Sequence, residues 1–205
     1  METTQPKRPS ARAKLLEAAV GLIRAKGYSA TSVDDLCKAA GVTKGAFFHH
    51  FHSKEVLGVA AADYWSETTS AMFAGAPYHD HGDPLDRVFA YIDFRGCLVD
   101  GGIELFTCLV GTMVQEAYQS SDAIRAACDA SISGHAATLE ADIAAAMQRY
   151  GVTDVTARSL ALHTQTVLQG GFILAKAKGG PEAARESVAH LKRYFVMLFG
   201  KGEAK

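Results

Sequence analysis

The residues of this chain that could do chemistry gather between Thr31 and Lys54, in the run TSVDDLCKAAGVTKGAFFHHFHSK. Thr31 and Ser32 put hydroxyls at a helix start, where free backbone amides and hydroxyls together suit a phosphate. Thr43, Lys44, Gly45 and Ala46 open a second short helix with small and polar groups, which suits close approach to a groove. Lys44 is the only long donor there and can serve guanine or a phosphate. Phe48, His49 and His50 follow within one turn. Asp34 and Asp35 sit in the first turn of the earlier helix, where its dipole favours them. Asp35 reads as structural, and Asp34 as either structural or an acceptor for a cytosine amino group. This is the chemistry of polyanion recognition.

Bond-breaking chemistry finds little support. GxSxG, HExxH, GxGxxG and P-loop patterns are all missing. Ser131, Ser133 and His135 are close in sequence, but on a helix they read as surface residues. His49, His50 and His52 invite a metal, yet neighbours on a helix diverge by about 100° and do not converge on one ion. His79, Asp80, His81 and Asp83 form a better-placed set in a loop, where histidines are usually just solvated. No metal, no cofactor and no enzymatic activity are therefore expected. Cys37, Cys97, Cys108 and Cys128 show no CxxC pairing, so a reducing cytoplasm is the simplest compartment. The N-terminus has no apolar core of a signal peptide, and no run of 18 apolar residues would span a membrane.

The elements that position the recognition residues can be read from periodicity. Val33, Leu36, Cys37 and Ala40 make one apolar stripe on a first helix. Gly41 ends it, Thr43 can cap the next, and Phe47 and Phe51 pack inward four residues apart. A short helix, a tight turn and a second short helix match the helix-turn-helix unit. The bland alternative is any helical hairpin of an all-α protein. Charge favours the first reading: residues 1–54 carry nine Lys/Arg against four Asp/Glu, and the remainder twelve against eighteen. A basic head on an acidic body suits a polyanion-binding module joined to a non-binding domain.

The 205 residues are 48% hydrophobic with only five prolines, which favours helices and allows a sizeable core. Residues 1–9, with Lys7-Arg8, read as a mobile basic arm. Ser10 caps a helix running to about Lys26 and ended by Gly27. A long helix spans about 53–76, and Asp83-Pro84 starts another. Gly101-Gly102 breaks that one, and a single helix is expected from about Ile103 to Tyr118. Further helices run to about Tyr150, from a Thr153-Asp154 cap to about Lys178, and to about Gly200. The total is about nine.

The run from Ala11 to Leu57 resembles the N-terminal DNA-binding domain of the TetR/AcrR family of transcriptional regulators. The resemblance is carried by LLEAA, Gly27, TSVDDL, AAGVTKGAFFHHF and SKEVL. It implies an all-α fold, with a helix-turn-helix domain over 9–69 (motif about 32–51) and a ligand-binding and dimerisation domain over 70–205. It also implies that Thr43, Lys44, Gly45 and Ala46 face base edges, and that Phe48 and His49 touch phosphates and thymine methyls. His50 buttresses the turn or reaches a phosphate, and Lys54 contacts a phosphate. Phe48 departs from the family's usual Tyr and lacks its hydroxyl.

In the second domain two stripes stand out, one through Leu160, Thr164, Leu168 and Gly171 and the other through Val188, Leu191 and Phe195. Either they pack within one chain or, as the resemblance implies, they form a four-helix dimer seam. The candidate pocket residues are Trp65, Phe73, Tyr91, Phe94, Phe106, Cys108, Thr112, Met113, Glu116, His163, Gln169 and Phe172, with Gln115 and Gln165 as further polar groups. The expected partners are a double-stranded palindromic DNA operator, an unknown small-molecule effector that releases a repressor, and a second copy of the chain. Two alternatives remain: thiol sensing at Cys108, which resembles the reactive thiol of electrophile-sensing members, and a helical small-molecule carrier without DNA binding.

Overall fold

The computed structural model describes residues 9–200, which form ten α-helices and one 3-10 turn, with no strand among them. The Lys7-Arg8 arm lies outside the described residues. Helix α1 (Ala11–Lys26) begins where Ser10 Oγ accepts the Ala13 amide at 3.2 Å. Helices α2 (Val33–Ala40) and α3 (Lys44–His50) are joined through Gly41, whose φ of 62° is the left-handed conformation a glycine takes at little cost. Helix α4 (Lys54–Ala74) is capped by Ser53 and carries the chain out of the head.

Three short helices bury too little to stand alone. Here Leu15, Leu16, Ile23, Leu36, Phe47, Phe51 and Leu57 form a core that continues into Leu109, Val110, Met113, Ile124 and Cys128 from the second half of the chain. Head and body therefore share one apolar cluster across residue 70. Met113, expected in a ligand pocket, is fully buried in this shared core.

The body comprises the 3-10 turn Pro77–Asp80, α5 (Pro84–Cys97), α6 (Ile103–Phe106), α7 (Leu109–Ala117), α8 (Asp122–Tyr150), α9 (Ala157–Lys178) and α10 (Glu182–Leu198). The long α8 packs against α4, α5, α7 and α9, and α10 lies along α9 and α5. The single helix expected over 103–118 is two. At the break the Thr107 carbonyl accepts Arg24 Nε at 2.6 Å, and Cys108 caps α7 by accepting the Gly111 amide. Helix α9 starts later than expected, because Thr156, and not Thr153-Asp154, supplies the cap.

Both stripes assigned to a dimer seam face the interior of their own chain. Leu160, Thr164, Leu168, Gly171, Val188, Leu191 and Phe195 are all buried. A Cβ on Gly171 would lie 3.2 Å from Ala184 Cα, so this glycine lets α9 and α10 touch. The apolar side chains left outside these two helices are Leu162, Ile173, Leu174, Tyr194 and Met197.

Candidate nucleic-acid interface

Phe47 and Phe51 are buried and anchor one side of α3 in the head core. That anchoring fixes which side faces out: Thr43, Lys44, Gly45, Phe48 and His49 are exposed, and Ala46 and His50 are half-buried. The helix begins at Thr43, whose hydroxyl accepts the Ala46 amide at 3.1 Å. Phe48 is 46% exposed, edge-on to Phe47, so an aromatic face is held toward solvent. Lys44 pairs with Asp34 at 3.0 Å, with both side chains more than half exposed. Exposed pairs are worth at most about 1 kcal/mol, so Lys44 can exchange this carboxylate for a phosphate or a base edge.

Asp35 is structural. It completes a capping box with Ser32 and takes Lys26 Nζ at 2.7 Å. Lys26, then the Ser32 amide and hydroxyl, hold its carboxyl well below the usual carboxylate range.

Two of the expected DNA contacts have hydrogen-bond partners within the chain. Thr31 is buried, and its hydroxyl donates to the Gly27 carbonyl at 2.7 Å. Lys54 Nζ donates to the carbonyls of Tyr28 (2.9 Å), Ser29 (3.4 Å) and Thr31 (3.0 Å), and lies over the Tyr28 ring. Burial lowers its pKa. An ammonium has three protons, and all three point at this turn. Lys54 therefore ties the first residue of α4 to the turn between α1 and α2. Glu116, expected in the pocket, grips the same turn from α7 and accepts the amides of Tyr28 (3.2 Å) and Ser29 (2.7 Å). Sequence reasoning missed this junction, whose one legible signal was Gly27.

The body holds two adjoining cavities, of about 70 Å³ and about 290 Å³. Trp65, Phe73, Phe106 and Phe172 line both, while Cys108, Gln165 and Gln169 line the smaller. Thr112 and Gln115 line a further cavity of about 10 Å³ together with Cys108, Gln169 and Phe172, and the remaining expected pocket residues lie outside all three. Tyr91 is buried behind the wall and hydrogen-bonded to His135 at 2.9 Å. Phe94 packs on Phe73 and Tyr78 outside both cavities. Thr112 accepts Lys176 Nζ at 2.6 Å, Gln115 donates to the Gly111 carbonyl, and His163 packs on Tyr194.

His135, read from sequence as a surface residue, is in the wall. Burial, then Arg95, pushes its pKa down to about 4. Ser131 also lines the smaller cavity, 2.8 Å from Ser66. Arg24 and Arg95 were missed as well, since a lone arginine on a helix carries no spacing signal. The loop histidines do not converge on an ion: His79 Nε2 contacts the Phe73 carbonyl, while Asp83 caps α5 and accepts Tyr150. Among the described residues no group of three His, Cys, Asp or Glu is arranged to hold a metal. No described helix is long and apolar enough to cross a membrane.

The family "Bacterial regulatory proteins, tetR family" matches residues 15–61, and "Transcriptional regulator LmrA/YxaF-like, C-terminal domain" matches 84–188. The HTH-type transcriptional regulator YxaF of Bacillus subtilis is 24% identical over 169 residues, covering 82% of this chain and 86% of that one. The transcriptional regulator AcuR of Cereibacter sphaeroides is 32% identical over 119 residues, 57% of this chain and 53% of that one. Among solved structures, a regulatory protein TetR from Rhodobacter sphaeroides superposes with a TM-score of 0.78 at 24% identity, covering 89% of this chain and 97% of that one. The reduced form of Escherichia coli NemR gives 0.74 at 24% identity, with 90% and 96% covered. At these identities the structural likeness concerns the fold.

Proposed function

The chain belongs to the TetR family of DNA-binding transcriptional regulators, and from that premise we propose that it is a homodimeric repressor released from a palindromic operator by a small molecule. The observation that carries this reading is the outward side of α3. It presents a hydroxyl, an ammonium, a glycine, a bare aromatic face and an imidazole on a buried aromatic anchor. Thr43, Lys44, Gly45 and Ala46 would face base edges, and Phe48, His49 and His50 the groove wall and phosphates. Ser32, exposed at the start of α2, would face the adjoining phosphate. The setting is the cytoplasm, where the DNA is.

The outward apolar residues of α9 and α10, Leu162, Ile173, Leu174, Tyr194 and Met197, would form the seam between two copies. A Cβ on Gly170 would meet nothing within 4 Å, which leaves that turn of α9 open to close approach by a partner helix. Two-fold symmetry then requires two operator half-sites on one side of the duplex. The effector would occupy the cavities beside Trp65 and Phe172, and tenfold derepression requires about 1.4 kcal/mol of preference for the DNA-incompetent state.

One placement favours thiol sensing as a second reading. Cys108 lines the smaller cavity, with the cationic groups of Arg24 and Lys176 beside it. N-ethylmaleimide would then release DNA from the native protein and not from Cys108→Ser.

The experiment for the leading reading is fluorescence anisotropy with the chain's own upstream DNA against scrambled DNA over a salt series. Specific binding with a steep negative salt slope, weakened by Lys44→Ala and His49→Ala, is expected. A protein that binds no DNA even at low salt would be a carrier.

A further inference from the structure

Two guanidinium groups enter the cavities, Arg24 from α1 and Arg95 from α5, and no Asp or Glu is among the lining residues of either. Arg95 lines both. Among the described residues no carboxylate lies within ion-pair distance of it. Its polar contact is His135 Nε2 at 3.4 Å, and its guanidinium lies 5.2 Å from the Phe73 ring and 6.0 Å from the Phe172 ring. Arg24 gives its Nε to the Thr107 carbonyl and lies 4.9 Å from the Trp65 ring. A guanidinium in an apolar site is costly unless an anion or several acceptors face it. Arg24 lies in the field of the Glu104 carboxylate, whereas the groups facing Arg95 are mostly aromatic.

His135 does not supply that anion. It is held neutral, and its Nε2 already faces both the Tyr91 hydroxyl and Arg95. Gln165 and Gln169 add amides to the smaller cavity. The walls of the larger cavity are otherwise mostly apolar, with Trp65, Met72, Leu98, Leu105 and Phe172 among them, and its two threonines, Thr68 and Thr69, spend their hydroxyl protons on carbonyls of their own helix. The arrangement is thus a cationic end on a largely apolar, aromatic-walled slot.

Resting on the effector reading above, we propose that the effector is an organic anion, a flat apolar or aromatic body bearing a carboxylate. The carboxylate pairs with Arg95 where the two cavities meet, in the field of Arg24, and the body lies against Trp65 and Phe172. Because Arg24 belongs to α1, an anion here acts directly on a residue of the DNA-binding head.

The test uses Trp65, the only tryptophan of the chain, as its reporter. Benzoate and trans-cinnamate are titrated against benzamide and cinnamide while Trp65 fluorescence is followed, with operator anisotropy measured in parallel. The acids should bind at least tenfold more tightly than their amides, about 1.4 kcal/mol. Arg95→Gln should remove that preference, and Arg95→Lys should keep part of it. The acid–amide comparison on the native protein needs no variant and stands even if Arg95→Gln fails to fold. Amides that bind as tightly as the acids, or acids that leave Trp65 unperturbed, would overturn the proposal. The two readouts separate it from the reading beneath it. Amides that bind equally and also release DNA defeat the anion and leave effector release intact. Acids that bind preferentially and leave DNA bound support the anionic site and defeat release by it.

Discussion

Gly27 and Glu116 should fail together when either is changed. Gly27 has φ 92° and ψ 162°, a region that is essentially glycine's own. An alanine held there costs about 1–3 kcal/mol. Its Cβ would also lie 2.3 Å from Glu116 Oε1. The obstacle is the end of a flexible side chain, so the carboxylate would swing away and give up the Tyr28 and Ser29 amides. Hydrogen bonds to a charged group are worth about 1.5–3 kcal/mol when buried, and Glu116 is exposed, so the pair is worth about 1 kcal/mol here. Gly27→Ala should then cost about 2–4 kcal/mol and Glu116→Ala about 1 kcal/mol. The double variant should cost no more than Gly27→Ala alone, because the bonds can be lost only once. Urea denaturation of the four proteins gives the cycle, with a coupling energy of about 1 kcal/mol. Additivity within about 0.3 kcal/mol would refute the reasoning, since the carboxylate would then not be held by the turn.

His135 has an ordinary pKa of 6.5 and is pushed down to about 4 in the fold, so between those values the unfolded chain binds the extra proton. Its contribution should be full above about pH 6.5 and fall by up to a few kcal/mol toward pH 4, so thermal melts across that range should fall less steeply for His135→Gln than for the native protein. Phe48→Tyr adds a hydroxyl to an exposed ring of the recognition helix. Operator affinity should rise a few-fold in anisotropy titrations while the melting temperature stays within a degree or two. Ile173→Glu with Met197→Glu places charge on the proposed seam without touching the core. Sedimentation velocity should show a monomer of unchanged helical content.

The helices of the head were legible because their signals are local. Ser10, Ser32 and Thr43 cap the helices at the positions their types predict, and Phe47 and Phe51 point inward as their spacing requires. The stripe on α9 was legible as a stripe, but its partner was not. A 3/4 pattern gives the buried side of a helix and does not say whether the same chain or another covers it. From the sequence Lys54 reads as a phosphate contact and Glu116 as a pocket group, whereas the bonds they make are to carbonyls and amides brought from residues 28–31. Backbone groups have no letter in a sequence. His135 is half-buried because Phe73, Tyr91 and Arg95 from two other helices converge on it, a long-range fact that local pattern does not carry.

These contacts also explain how a cavity could speak to α3 without a dedicated relay. The turn at 27–31 is held from α4 by Lys54 and from α7 by Glu116, and the last turns of α1 are held to the break before α7 by Arg24 on the Thr107 carbonyl. The same Arg24 and the α4 residue Trp65 line the larger cavity, and Cys108 just after the break lines the smaller. A ligand that moves α4 relative to α7 must therefore either carry the turn with it or break one of these ties. Each tie is worth about 1 kcal/mol, close to the 1.4 kcal/mol that a tenfold change in operator affinity demands. Altering one or two of them is the right scale for a switch. The apolar core shared by the head with α7 and α8 is far too large to yield to so small a bias, so the head should pivot on that core as a unit and stay folded.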